Sequence, residues 1–126
     1  MEKKIVNTTA APAPIGPYSQ AVQVGNILFV SGQIAIHPET GNLDTSDIAS
    51  ETRQVLENVK AILAEAQMDF NNIVKTTIFL SDMALFASVN EVYGTYFSGD
   101  FPARETVAVK ALPKGVNVEI SVTAAR

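Results

Sequence analysis

The segment of residues 48–66 constrains the fold most, because its apolar residues recur with the period of an α-helix. Apolar side chains return every three or four positions, and charged residues such as Arg53, Glu57 and Lys60 lie between them. A helix with one apolar face must pack against another layer of the fold. Residues 44–47 (DTSD) supply N-cap candidates for this helix, and their carboxylates suit the positive end of its dipole.

The layer that receives this helix is predicted to be a β-sheet. The run IVKTTIFL at residues 73–80 is rich in β-branched residues and has the length of a buried strand. Similar patterns predict the other strands over residues 20–24, 27–34, 104–110 and 117–124. Gly25 and Asn26 separate the first two of these strands and predict a hairpin turn.

A second helix is predicted from residue 88 onward. Ser88 and Glu91 have the spacing of a capping box, which is typical of a helix start. Behind them lies an apolar stripe that consists of Val89, Val92, Tyr93, Tyr96 and Phe97. Aromatic residues at this spacing favour packing in the core over a cage for a ligand.

The elements follow one another in the order β-β-α-β-α-β-β, within a single predicted domain of residues 1–126. Strands and helices mixed in this way predict an α+β fold. We expect a mostly antiparallel sheet that two helices cover on one face. The second face of that sheet then needs either solvent or a partner.

The strand at residues 73–80 has apolar side chains at both parities, with Val74, Ile78 and Leu80 on one and Phe79 on the other. In a small domain, a strand with two apolar sides favours a subunit interface on the second sheet face. The alternative is a semi-polar second face that stays in contact with water.

Composition excludes several classes of site and partner. The 126 residues carry a formal net charge of −4 and their cations are scattered, which argues against nucleic acid as a partner. The chain has no cysteine and one histidine, His37, so no metal site of thiolates or several histidines is expected. No apolar stretch suits a membrane span or a signal peptide, and we expect a soluble, cytoplasmic protein without a membrane partner.

Arg104 and Glu119 are the candidate residues for chemistry, because each places a charge in a predicted strand. A carboxylate among apolar strand residues needs a partner or a raised pKa. One interpretation is structural: a charge on an edge strand, or an Arg–Glu pair inside the sheet. The other is functional, with Arg104 holding a substrate carboxylate by a forked contact and Glu119 handling protons. His37 lies beside Pro38 in a predicted surface turn, which favours a structural role.

Short segments along nearly the whole chain resemble the RidA (YjgF) family of reactive-intermediate deaminases. They are residues 15–21 (IGPYSQA), 30–34 (VSGQI), 74–77 (VKTT), 90–93 (NEVY), 102–104 (PAR) and 118–120 (VEI). The resemblance implies a chorismate-mutase-like α+β fold and a homotrimer with clefts between neighbouring subunits. It also implies hydrolysis of 2-imino acids (2-iminopropanoate, 2-iminobutanoate), in equilibrium with their enamines, to 2-keto acids and ammonia. Such an enzyme removes reactive metabolites and needs no cofactor.

The resemblance also implies roles for particular residues. Arg104 would bind the substrate carboxylate, and Glu119 would position or activate the attacking water. The cleft would be lined by Tyr18, Ser31, Asn90, Phe86 and Thr106, and Gly32 would let the backbone approach the ligand closely.

Two residues depart from the family pattern. Many members have a small residue after the arginine and a cysteine after that, where this chain has Glu105 and Thr106. Strand alternation should turn Glu105 away from the site, so these changes bear on substrate preference more than on the reaction. A non-catalytic regulator of the same fold that binds keto acids remains the alternative. The acidic charge argues against a third activity, ribonuclease, claimed within the family.

Overall fold

The computed structural model describes residues 1–126 and contains six strands and two α-helices. They are β1 (Lys3–Val6), β2 (Ala21–Val24), β3 (Ile27–Gln33), α1 (Ile48–Glu65), β4 (Ile73–Leu80), α2 (Phe86–Gly94), β5 (Ala103–Ala108) and β6 (Val118–Ala125). Each predicted element is present to within a few residues, and Gly25 has the positive φ of 57° that the hairpin turn requires. The short strand β1 was not predicted, because only Val6 among its residues is buried.

All the strands form one sheet in the order β1-β2-β3-β6-β4-β5. Neighbouring strands run antiparallel except β4 and β5, which are parallel because the chain crosses over through α2 between them. The C-terminal strand β6 is therefore central, and β5 lies at one edge. The prediction of a mostly antiparallel α+β fold is confirmed.

Both helices lie on the same face of the sheet. The core between them includes Leu56 and Ile62 of α1 and Val89 of α2, all almost fully buried. On the sheet side it includes Ile120 of β6 and Ile78 of β4. Asp47 caps α1, since its carboxylate accepts a hydrogen bond of 2.8 Å from the backbone N–H of Ser50. No helix has the length and apolar character that crossing a membrane would require.

Two details of the local predictions are wrong. Val74 does not share the core side with Ile78, since a register shift between Ile73 and Lys75 leaves Val74 half exposed and buries Ile73 instead. The capping box at Ser88 is absent because α2 already begins at Phe86, directly after a 3₁₀ turn over Met83–Leu85.

The face of the sheet that the helices leave open is partly apolar. Ile5, Phe29 and Val107 point from β1, β3 and β5 to this side, and between 43% and 51% of each is exposed. Lys75 and Glu105 form a salt bridge of 3.0 Å on the same face. A mixed surface of this kind suits contact with another protein surface as well as it suits water.

Candidate functional site

A cavity of about 440 Å³ lies beside Glu119. Glu119 is on β6. The cavity is also lined by Ser31 and Gly32 of β3 and by Tyr18 of the loop before β2. Burial raises the pKa of the Glu119 carboxyl above its ordinary value of 4.5. Neither salt bridge of the chain involves Glu119, so no cation offsets the loss of solvent. A carboxylate in this state is a stronger proton acceptor than one in water.

Gly32 provides the space that the Glu119 side chain occupies. A Cβ atom at Gly32 would lie 2.8 Å from Glu119 Cδ and closer still to Oε2. Strand β3 is irregular here, with a register shift against β6 between Val30 and Gln33. A side chain at position 32 would therefore displace the Glu119 carboxylate. Gly32 also lines the cavity, and its role in letting the backbone approach a ligand stays a prediction.

The loop before β2 forms the wall of this cavity and is held by one buried amide. Gln20 is only 2% exposed, and its Oε1 accepts a hydrogen bond of 2.7 Å from the Thr8 N–H. Its Nε2 donates to the carbonyls of Thr8, Ala11 and Pro12. Every polar atom of the Gln20 side chain is thus used to fix the wall.

Ser31 joins the same loop to β3. Its hydroxyl donates a hydrogen bond of 2.6 Å to the Ser19 carbonyl, and its N–H donates to the Gln20 carbonyl. Tyr18, which precedes Ser19 in the chain, is about half exposed, and its phenolic oxygen accepts a hydrogen bond of 3.3 Å from the Ile15 N–H. Ser31 therefore both lines the cavity and fixes the loop through its hydrogen bonds, and Tyr18 remains accessible to a ligand.

Arg104 lies at a second surface depression, beside α2. Its Nη1 donates a hydrogen bond of 2.6 Å to Asn90 Oδ1. Its Cζ lies over the aromatic rings of Tyr93 and Phe86, at 5.1 and 5.6 Å from the ring centroids. Neither salt bridge of the chain involves Arg104, so its charge has no internal partner. A guanidinium in this state can bind an anion such as a carboxylate.

Thr106 and Glu105 take opposite directions from β5. Thr106 follows Arg104 on the same side of the strand, and its hydroxyl is buried without a hydrogen-bond partner. Glu105 points to the open face, where it pairs with Lys75. The expectation that strand alternation turns Glu105 away from Arg104 is confirmed.

The two groups of residues lie on opposite faces of the sheet. Arg104 is in register with Thr76 of β4, which is buried under α2. Glu119 is in register with Phe79, three positions further along β4 and therefore on the open side. Arg104 and Glu119 do not pair within the chain, so the interpretation of an internal structural Arg–Glu pair is wrong.

Comparison with known proteins decides the family. The family model described as endoribonuclease L-PSP matches residues 8–126. The chain belongs to the RidA (YjgF) family. Its relatives include the 2-iminobutanoate/2-iminopropanoate deaminase of Mus musculus, which is 50% identical over 122 residues, covering 97% of this chain and 90% of the mouse protein. The names within the RidA family therefore point to more than one activity.

Solved structures of RidA proteins share the fold. RidA from an Antarctic Psychrobacter is 42% identical with a TM-score of 0.95, and the match covers 98% of this chain and 99% of that one. Escherichia coli TdcF, solved with bound serine, is 43% identical with a TM-score of 0.94, and the match covers 98% of each chain. The six-stranded sheet and two helices are thus the RidA architecture.

The residues that the RidA resemblance marks fall into two sets. One set surrounds the first cavity and contains Tyr18, Ser31, Gly32 and Glu119. The other lies beside α2 and β5 and contains Phe86, Asn90, Arg104 and Thr106. The sequence pattern places Tyr93 in the core alone, whereas in the structure its ring also contacts Arg104. The signal was available, since Phe86, Asn90 and Tyr93 have the spacing of one helix face.

Proposed function

We propose that this chain hydrolyses 2-imino acids, in equilibrium with their enamines, to 2-keto acids and ammonia. The site would be formed by two copies of the chain. The observation that carries the proposal is the placement of Arg104 and Glu119, each without a charged partner, on opposite faces of one sheet. An anion anchor and a proton acceptor separated in this way become one site when two copies meet.

A homotrimer brings the two sets together, because in a closed ring each subunit contacts one neighbour with one part of its surface and the other neighbour with a different part. The exposed apolar side chains of the open face, among them Phe29 and Val107, favour this association. The Arg104 set of one subunit would then lie opposite the Glu119 set of the next.

Arg104 is suited to hold the substrate carboxylate. Asn90 accepts a hydrogen bond from Nη1 of the guanidinium, which leaves Nε and Nη2 for a forked contact with two carboxylate oxygens. Thr106 follows on the same side of β5, and its hydroxyl has no hydrogen-bond partner within the chain and could donate one to the substrate. This contact would orient the imine carbon, C2, toward the partner copy's carboxylate.

Glu119 is suited to receive the proton of the attacking water. As the water oxygen bonds to C2 of the protonated imine, the C=N bond becomes a single bond and Glu119 takes a water proton. Returning that proton to nitrogen makes ammonia the leaving group of the resulting carbinolamine. As the C–N bond breaks, ammonia leaves with its electron pair, the hydroxyl proton passes to Glu119, and the hydroxyl oxygen becomes the keto oxygen of the 2-keto acid. Glu119 then releases that proton to solvent.

A regulator that binds keto acids without turnover is the second candidate, and it is favoured by one comparison. TdcF of the same fold was solved with serine, a small molecule with a carboxylate. A sensor of this kind needs Arg104 but has no use for a carboxyl with a raised pKa in a cavity. The raised pKa of Glu119 therefore favours the enzyme.

Coupled turnover tests the proposal. A serine or threonine dehydratase generates 2-aminoacrylate or 2-aminocrotonate in the cuvette, and keto-acid release is followed with and without this protein. We expect the protein to accelerate release in proportion to its concentration, and the Glu119→Gln variant to do so far less. Saturable binding of 2-oxobutanoate with no acceleration of release would support the regulator instead.

A further inference from the structure

The guanidinium of Arg104 lies on one face of α2. Phe86, Asn90 and Tyr93 follow the i, i+4, i+7 spacing that aligns side chains along a helix. All three contact Arg104. Asn90 Oδ1 accepts a hydrogen bond of 2.6 Å, and Arg104 Cζ lies 5.1 Å from the ring centroid of Tyr93 and 5.6 Å from that of Phe86. The anchor is thus held by one face of α2, and of these three residues Tyr93 is the only one that the sequence pattern marks as core.

We propose that Tyr93 is a positioning residue for Arg104, whose ring holds the guanidinium in the orientation that receives a substrate carboxylate. This inference rests on the proposed function, because it assumes that Arg104 binds a carboxylate. A cation over an aromatic face is attracted to the negative potential of the ring. Tyr93 is 4% exposed, so water competes weakly with this attraction.

The ring of Tyr93 is itself fixed at its far end. Its hydroxyl makes a hydrogen bond of 2.9 Å with Thr76 Oγ1, and Thr76 is fully buried in β4. Thr76 is also the residue in register with Arg104 across the β4–β5 pair. The sheet therefore sets the distance between Thr76 and Arg104, and Tyr93 connects the two from the helix side.

A second contact keeps the ring from turning. Phe97 packs against Tyr93 with ring centroids 4.9 Å apart and an interplanar angle of 46°. Burial raises the pKa of the Tyr93 phenol above its ordinary value, so the ring stays neutral at physiological pH. Both features give Arg104 a constant surface to lie on.

The test separates the ring from its hydroxyl and from general packing. Tyr93→Leu removes the aromatic face, Tyr93→Phe removes only the hydroxyl, and Tyr96→Leu makes the same truncation where no contact with Arg104 exists. We expect Tyr93→Leu to raise the Kd for 2-oxobutanoate and the KM about tenfold while kcat changes less than about threefold. Tyr93→Phe should stay within about threefold of wild type, and Tyr96→Leu should bind as wild type does.

A readout without turnover accompanies these measurements. The Nε–H proton of Arg104 lies near two aromatic rings, and its NMR chemical shift should move toward the random-coil value in Tyr93→Leu but not in Tyr96→Leu. If Tyr93→Leu does not fold, pentafluorophenylalanine at position 93 keeps the shape of Phe and reverses its electrostatic face. That replacement should raise the Kd relative to Tyr93→Phe.

The outcomes distinguish failure of the proposed function from failure of the positioning role of Tyr93. Wild-type protein that neither binds 2-oxobutanoate nor accelerates keto-acid release overturns the proposed function and this inference with it. Wild-type activity together with an unchanged Kd in folded Tyr93→Leu, or an unchanged Kd with the fluorinated ring, overturns the positioning role alone.

Discussion

Neither Arg104 nor Glu119 has an oppositely charged partner within the chain, and neutral residues surround each of them. Asn90 and two aromatic rings hold the guanidinium, while Gly32 leaves room for the carboxylate. Such an arrangement leaves the desolvation of each charge without the attraction of an internal salt bridge to offset it. Its persistence is expected where the charges serve a ligand and its reaction.

Replacing Arg104 by lysine tests the anchor. Arg104→Lys keeps the positive charge but loses the planar fork and the contact with Asn90, so we expect most of the activity to disappear. The thermal midpoint should change little, because Arg104 lies on an edge strand and is only partly buried. Near wild-type kcat/KM in a folded Arg104→Lys protein would remove Arg104 from this role.

Replacing Glu119 by glutamine tests the proton acceptor. Glu119→Gln keeps the shape and removes the base, so turnover should fall by roughly 10²–10⁴-fold. Binding of 2-oxobutanoate should persist, since Arg104 is unchanged. Turnover at the wild-type rate in a stable Glu119→Gln variant that binds normally would exclude Glu119 from the mechanism.

The raised pKa of Glu119 predicts two pH effects of opposite sign. The base must be ionised, so kcat/KM should rise with pH along an acid limb that lies above the ordinary carboxyl value of 4.5. Folding favours the protonated carboxyl. The contribution of Glu119 to the free energy of unfolding is therefore complete below pH 4.5, the ordinary carboxyl value, and is lost as pH rises through the raised pKa.

Unfolding free energies of wild type and Glu119→Gln measure the second effect. The difference between them, wild type minus variant, should decrease with pH across this window and become constant above it. A difference that increases with pH would mean that the ionised carboxylate is the stabilised form, as a cation such as Arg104 of a neighbouring copy would make it.

At the scale of elements, the irregularity of β3 and the central position of β6 bring the residues of the Glu119 set together. The register shift between Val30 and Gln33 sets Ser31 and Gly32 beside Glu119 of the neighbouring strand. Gln20 then fixes the loop that faces them. A regular β3 would alternate past this point and present a side chain where the carboxylate lies.

Gly32→Ala tests this arrangement. The added methyl would collide with the end of the flexible Glu119 side chain and with no backbone atom, so the fold should survive while the carboxylate is displaced. We expect turnover to fall at least about tenfold, and the same change to add little in a Glu119→Gln background. Full turnover in folded Gly32→Ala, measured beside its thermal midpoint, would show that the carboxylate position is unimportant.

At the scale of the whole molecule, the proposed function requires association, because the Arg104 set and the Glu119 set lie on opposite faces of the sheet. Light scattering should give a trimer at micromolar concentration, and an active monomer would contradict this. The open face, with Ile5 and Phe29 exposed, is the surface we expect the trimer to bury.

Mixed oligomers test whether the site is shared. Arg104→Lys and Glu119→Gln chains, each nearly inactive alone, are unfolded together and refolded. Random mixing should return about a quarter of wild-type activity, because about one interface in four then joins an intact Arg104 to an intact Glu119. The double variant mixed with wild type is the control, and activity no higher than that of the separate variants would place both groups in one chain.

The sequence by itself determined every element except β1, the covering of one sheet face by two helices, and the candidate residues Arg104 and Glu119, because periodicity and charge in a strand are local properties. It did not determine the strand order, in which β6 enters between β3 and β4, nor the bulges that expose Val74 and seat Glu119 against Gly32. Those features depend on which strands pair and in what register, and pairing is set by contacts between residues far apart in the chain. For the same reason only the tertiary structure placed Arg104 and Glu119 on opposite faces, and Tyr93 beneath the arginine.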